Sequence, residues 1–275
     1  MKQHKATSFP QSASIAGMVS AVCPALSAGP ERLFFAKRGK GDRIYPVDGL
    51  VLHDFWLDEG RLPFGHAPTF LGQIQKNHIS TGTLAGYPQA VHVRLLARLA
   101  RLLPGYQLAF FNQASTLGLD PVHNEIDITQ SAFVHSLQLL PVGERPPRIR
   151  INGVLGLTVI ATDGSQTGLA PATYWPDSVT TARALGLLRR MQGPHAPWRE
   201  CQELADRFVA QAGSQVGERY GTSLRIAVDE ARRAALLDAG FYIGTSGWVY
   251  FCTEHDRRTV DRLARLVIEN LCKEA

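Results

Sequence analysis

Between Lys76 and Lys273 the sequence contains no lysine at all; the chain has six, Lys2, Lys5, Lys37, Lys40, Lys76 and Lys273, and arginine supplies the rest of its 29 basic side chains. Chemistry that needs a primary amine from the middle of the chain is thereby excluded. Cysteine is scarce as well. Cys23, Cys201, Cys252 and Cys272 form no CxxC pair, and none stands near a histidine at zinc-ligand spacing. Neither a disulfide framework nor a zinc module is expected, and the thiols read as buried groups of a protein in a reducing cytoplasm. The nine histidines are scattered without an HExxH cluster, so no metal is expected. No apolar run approaches the length of a membrane span. Near the start, Lys2 and Lys5 precede Ile15-Ala16-Gly17-Met18-Val19, and Leu26-Ser27-Ala28 has the small residues of a cleavage site. Ser, Gly and Pro interrupt that stretch, so a secretory leader is not expected. Charge is thin too. With 19% charged residues and 45% hydrophobic ones the chain can build a core and is not a disordered polyelectrolyte. A net charge of +5 falls short of a nucleic-acid-binding patch. No P-loop or G-x-G-x-x-G follows a strand, and Gly244-Thr245-Ser246-Gly247 lacks the spacing of a nucleophile elbow.

What is present alternates in the manner of an α/β protein. Residues 1–30 are Ser/Ala/Gly-rich and expected to be irregular or partly helical. Arg43 to Leu52 reads as a hairpin around Asp48-Gly49. Residues 89–103 make the clearest helix. Leu95, Leu96, Leu99, Leu102 and Leu103 line one stripe, Arg94, Arg98 and Arg101 a solvated face, and Pro104-Gly105 stops it. A buried strand follows at 108–111, and residues 149–160 are β-rich. Helices are expected at 178–191 and 197–216, the second with the stripe Trp198, Cys201, Leu204, Ala205, Phe208, Val209 and Ala212. Strands at 224–228 and 248–251 alternate with helices at 229–238 and 256–271, which indicates a small α/β layer. The expected division is an N-terminal segment and hairpin over 1–57, a middle portion over 58–176 and a C-terminal α/β domain over 177–275.

Several phrases resemble the class III pyridoxal-phosphate-dependent aminotransferases, in particular the glutamate-1-semialdehyde aminomutases. Phe35-Ala36-Lys37-Arg38-Gly39-Lys40-Gly41 leads to Tyr45-Pro46-Val47-Asp48-Gly49-Leu50-Val51-Leu52-His53-Asp54-Phe55, then to Phe64-Gly65-His66-Ala67-Pro68. Leu102-Leu103-Pro104-Gly105 and Phe110-Phe111-Asn112 continue the likeness. Near the other end stand Leu236-Leu237-Asp238-Ala239-Gly240-Phe241, Tyr250-Phe251-Cys252-Thr253-Glu254-His255 and Val260-Asp261. The resemblance implies a reduced version of the fold type I transferase fold, with a mixed, mostly parallel sheet plus a small C-terminal α/β domain. The central section of full-length members does not fit between the two matching ends.

The resemblance also implies a site, and the chain departs from it. The family's lysine forms a Schiff base with pyridoxal phosphate. The nearest match, Arg148 to Gly156, offers Arg148 and Arg150, which stay protonated and cannot serve as the amine. Where the family sets an aspartate against the pyridine nitrogen, His123-Asn124-Glu125-Ile126-Asp127 offers the neutral Asn124, with Asp127 a displaced candidate. The phosphate cup is matched by Asn112 and Ser115 without the family's glycine, and Thr173 matches a second phosphate donor. Helix capping explains Ser115 and Thr173 equally well. Cys252 and His255 read as part of the family's structural phrase rather than as a reactive pair.

Three readings follow. The first is a non-catalytic relative that acts as a dimerising or partner subunit, as a homodimer or with a full-length homologue. The second is an enzyme of altered chemistry binding an anionic small molecule non-covalently, with Arg148, Arg150 and Arg183 as clamps. The third is an aminotransferase-type enzyme completed by a second chain. Pyridoxal phosphate enters by family resemblance alone, without a covalent bond. Neither nucleic acid nor membrane is an expected partner.

Overall fold

The computed structural model describes residues 9–22, 34–80, 82, 87–111, 125–127, 148–152, 158–162, 175–194 and 196–271. In chain order the elements are α1 (Pro10–Val22), β1 (Ala36–Lys40), β2 (Arg43–Pro46), β3 (Leu52–Asp54), a single turn at Leu57–Gly60, α2 (Thr69–Ser80), α3 (Ala90–Leu102), β4 (Gln107–Phe111), β5 (Glu125–Asp127), β6 (Arg148–Asn152), β7 (Thr158–Thr162), α4 (Ser178–Met191), α5 (Trp198–Ala212), β8 (Val216–Tyr220), β9 (Ser223–Ile226), α6 (Glu230–Asp238), β10 (Phe241–Tyr242), β11 (Trp248–Val249) and α7 (Arg257–Leu271).

The chain reverses where Asp48-Gly49 requires it. Gly49 takes φ 83°, which a side chain would oppose, and donates its N–H to Pro46 O at 3.2 Å. The turn lays β2 antiparallel on β3, with Arg43 opposite His53 and Ile44 opposite Leu52. Asp48 has a second task. Its carboxylate accepts from Gln11 N at 2.7 Å and from the Ser12 hydroxyl, supplying the acceptor that the N-terminus of α1 lacks.

Two compact units are present, one of residues 1–68 with 197–275 and one of residues 69–196. These boundaries replace the expected ones, for two reasons visible in the backbone. β10 adds to β3 in parallel, Phe241 opposite His53, so the N-terminal hairpin and the C-terminal layer share one sheet of order β1-β2-β3-β10. And α4, expected to open the C-terminal domain, packs on α2 and α3 instead. At that contact Gly186 lets α2 approach, since a Cβ there would lie 2.3 Å from Ile74 Cδ1.

In the first unit a second sheet, β11-β9-β8, is wholly antiparallel. The core is built from helical stripes laid on strands. Cys201, Leu204, Ala205 and Phe208 recur at helical spacing along α5 and meet Val260, Leu263, Ala264 and Val267 of α7. Phe55, Phe241 and Phe251 fill the space beneath. Asp229 caps α6 by accepting from Arg232 N at 2.8 Å. The helix expected to run to residue 216 ends at Ala212, because Gly213 adopts φ 56° and releases the chain toward β8.

In the second unit the sheet runs β4-β7-β6-β5. It is mixed, as expected, but the named pairings are mainly antiparallel rather than mostly parallel: across both units only β3–β10 and β5–β6 run parallel among the described strands. Residues 153–157 alone separate β6 from β7, too few for a crossover helix, so the two pair as antiparallel neighbours. The stripe of α3 is buried through Val91, His92, Leu95 and Leu99. His92 is spent internally, with Nδ1 accepting from Gln89 N at 2.9 Å and Nε2 facing Pro176 O at 2.8 Å. Asp177 caps α4 through Thr180 N at 2.8 Å.

Candidate functional site

Asn112, Ser115, Asn124 and Thr173, the residues matched to a cofactor site in the sequence, lie outside the described residues. Asp127 sits on β5 opposite Asn152, and Arg148 and Arg150 lie on β6. Arg183 lies on α4, where its Nε is buried without a hydrogen-bond partner among the described residues and burial lowers the guanidinium's pKa.

Described polar groups converge in the first unit, on His53, Asp54, His66 and His255 from the phrases that carry the resemblance and on Asp42, which lies between two of them. Asp54 is 1% exposed. Its Oδ1 accepts from Trp56 N and Leu57 N, each at 2.9 Å, and its Oδ2 faces His66 Nε2 at 2.7 Å. The chain just beyond is left-handed. Leu57, Asp58 and Glu59 take φ of 48°, 54° and 58°, a conformation that costs about 1 kcal/mol or more per residue with a side chain. The Asp54 carboxylate holds the entry to that turn. Next to it, Asp42 Oδ2 faces His53 Nδ1 at 2.5 Å, and Asp42 O accepts from Asp54 N at 2.7 Å. Burial alone would raise the Asp42 carboxyl; the His53 hydrogen bond and the charges of His255, His53 and Arg43 outweigh it and lower the pKa.

His255 closes the cluster from below. Its ring stacks on Phe55 at 4.0 Å between centroids, Nε2 faces Asp54 O at 3.0 Å, and Nδ1 accepts from Cys252 N at 3.1 Å. Both nitrogens are satisfied by the neutral Nε2–H form. Burial, the largest influence, pushes its pKa down to about 4 despite the nearby Asp42 and Asp54 charges. Gly65 and Gly41 complete the frame through a reciprocal bridge, Gly41 N to His66 O at 3.0 Å and His66 N to Gly41 O at 2.6 Å. Gly65, at φ 68°, admits no side chain there, since a Cβ would lie 2.5 Å from Gly41 O.

Two carboxylate–imidazole pairs thus stand side by side, Asp42–His53 and Asp54–His66. Each histidine keeps one ring nitrogen without a hydrogen-bond partner among the described residues. Such pairs can hold or pass a proton. Among the described residues the cysteines do not join them as nucleophiles. Cys252 Sγ lies 3.6 Å from His255 Nδ1, but burial pushes the thiol well up, and burial pushes Cys201 up to about 12. Cys252 and His255 are structural, as the sequence suggested. Among the described residues no group of three His, Cys, Asp or Glu could hold a metal ion, and no helix is long and apolar enough to cross a membrane. Sequence reading missed the cluster because its members arrive from positions 42, 53, 54, 66 and 255; the signal was that all but Asp42 stand inside the phrases that carried the resemblance.

No family model matches the chain. A stretch of 83 residues is 35% identical to the glutamate-1-semialdehyde 2,1-aminomutase of Methanosphaera stadtmanae, covering 30% of this chain and 20% of that protein. Another match is 36% identical over 83 residues to the aminomutase of Gemmatimonas aurantiaca, 19% of its length. The matched stretch therefore spans about a fifth of these curated relatives. Among solved structures, a β-phenylalanine aminotransferase from Variovorax paradoxus superposes with a TM-score of 0.75 at 13% identity, over 96% of this chain and 94% of that one. A glutamate-1-semialdehyde aminomutase from Pseudomonas aeruginosa gives 0.70 at 13% identity over the same shares, 96% and 94%. At such identity the superpositions establish the fold, an α/β aminotransferase fold with mixed sheets.

Proposed function

We propose that this chain, which resembles the class III pyridoxal-phosphate-dependent aminotransferases in sequence and in fold, is a non-catalytic relative that keeps the scaffold without its covalent chemistry. One observation carries the reading: no lysine occurs from residue 77 to residue 272. Pyridoxal phosphate supplies electron-sink chemistry once a lysine amine holds it. The lysines among the described residues, Lys37, Lys40 and Lys76, are all exposed, on β1 and α2. The donor set does not fit a covalently held cofactor. The neutral Asn124 in place of an acidic partner supports the same reading. In an amino-transfer assay with added pyridoxal phosphate, an amino-acid donor and a keto-acid acceptor, the purified chain is expected to give no transfer above the rate of the free cofactor. Enzyme-dependent turnover would overturn the proposal.

The scaffold's role is then association, with a second copy or with a full-length homologue. Supporting this, Ile79, Tyr87 and Val93 are large apolar residues exposed in the second unit. In the same unit, the four-stranded sheet has β4 and β5 at its edges among the described strands. Sedimentation at increasing concentration is expected to show a dimer. A concentration-independent monomer that also fails to bind a full-length homologue would count against the association.

A further inference from the structure

We infer that a cleft in the first unit, beside the Asp42–His53 pair, is a binding site for a small oxyanion, a carboxylate or a group of phosphate size. The cleft has a volume of about 380 Å³, within the range of small-molecule pockets. Leu50, Val51, Leu52 and Leu237 are among its lining residues, and Arg43, His53 and Arg262 bring the polar groups.

The sheet register assembles these groups. Arg43 on β2 stands directly opposite His53 on β3, and His53 stands opposite Phe241 on β10. Cross-strand partners project to the same face, so Arg43, His53 and Phe241 form one row. His53 stacks on Phe241 at 5.6 Å between centroids, and the Arg262 guanidinium lies over the Phe241 ring at 4.8 Å. Arg262 Nη2 also donates to Ala239 O, which fixes the guanidinium and leaves Nε and Nη1 without a partner among the described residues. Arg43 reaches Asp42 through Nε at 3.5 Å and leaves both terminal nitrogens unpaired among those residues. His53 commits Nδ1 to Asp42 and keeps Nε2. Three donors, two of them permanently charged and one pre-fixed, therefore border one cleft with spare hydrogen-bonding capacity. Guanidinium forks match the two oxygens of a carboxylate or phosphate. Asp238 lines the same cleft and restricts it to a compact anion that meets the arginines without approaching that carboxylate. The site is built from first-unit residues, and it stands whether or not the chain has lost its covalent chemistry.

Calorimetric titration of the full chain with inorganic phosphate and, separately, with succinate tests the site at low ionic strength. At least one anion is expected to bind saturably at one site, and the arm that responds identifies the class. Arg43→Gln and Arg262→Gln are each expected to weaken binding about tenfold or more. Arg258→Gln, an exposed arginine of α7 outside the cleft, is expected to bind like the unaltered chain. Arg43 is exposed, so its variant remains informative if Arg262→Gln fails to fold. The inference is overturned by the absence of saturable heat from both anions, by unaltered binding in both cleft variants, or by equal weakening in Arg258→Gln.

Discussion

Asp54→Ala is expected to destabilise the first unit by about 4 kcal/mol in urea denaturation, among the largest losses from any single truncation outside the aromatic core. The reason is the number of donors that one buried carboxylate serves. Trp56 N, Leu57 N and His66 Nε2 all point at it, and Asp54 itself is 1% exposed. Alanine leaves those donors without their acceptor and releases the left-handed run at Leu57, Asp58 and Glu59, which the backbone adopts against its own preference. Asp54→Asn separates the contributions. Its amide oxygen can still accept from the two backbone groups, while the charge toward His66 is gone, so the loss should be about half as large. A cost below about 1 kcal/mol for alanine would mean that the turn is held by packing and not by the carboxylate.

Acid is expected to weaken the same unit through His255, and the window can be assigned. Unfolded, a histidine takes up its proton near pH 6.5; folded, burial holds His255 neutral down to about pH 4. Between those values the unfolded chain binds more protons, so stability falls as pH falls. The slope reaches about 1.4 kcal/mol per pH unit and the accumulated loss about 3 kcal/mol. Asp42 acts in the same direction but lower on the scale. Its pKa is lowered below the ordinary carboxylate value, so its contribution is present above that value and is lost as pH falls through the lower one. His255→Gln should lower stability at neutral pH, because the Cys252 N–H and Asp54 carbonyl lose well-placed partners, and should flatten the curve between pH 6.5 and 4. Parallel curves for the two proteins would place the acid sensitivity elsewhere.

Local signals were legible in the sequence wherever one residue decides the geometry. Asp48-Gly49 turned the hairpin, Pro104-Gly105 ended α3, and the stripes of α5 and α7 faced the core as their spacing required. The parallel union of β3 with β10 was not legible, because two-residue β10 carries no periodicity and its partner lies at the opposite end of the sequence. Nor was the left-handed turn, since Leu57-Asp58-Glu59 has no glycine to announce it; the N–H groups of Trp56 and Leu57 donate to the nearby Asp54 carboxylate and hold the entry to a conformation that backbone preference opposes. Nothing in the sequence sets Arg262 apart from the other arginines of α7, and only the register of three strands brings it over Phe241 and beside Arg43. Some of the phrases that carried the family likeness supply His53, Asp54, His66 and His255 of the histidine–carboxylate frame.

The most direct test of the central claim is borohydride reduction of the purified chain with pyridoxal phosphate, followed by peptide mass mapping. The account predicts no modified peptide between residues 77 and 272, and only sparse, non-saturating labelling of exposed lysines such as Lys37, Lys40 and Lys76. A visible absorption band that saturates at one cofactor per chain, with a reduced adduct on a single residue, would contradict it.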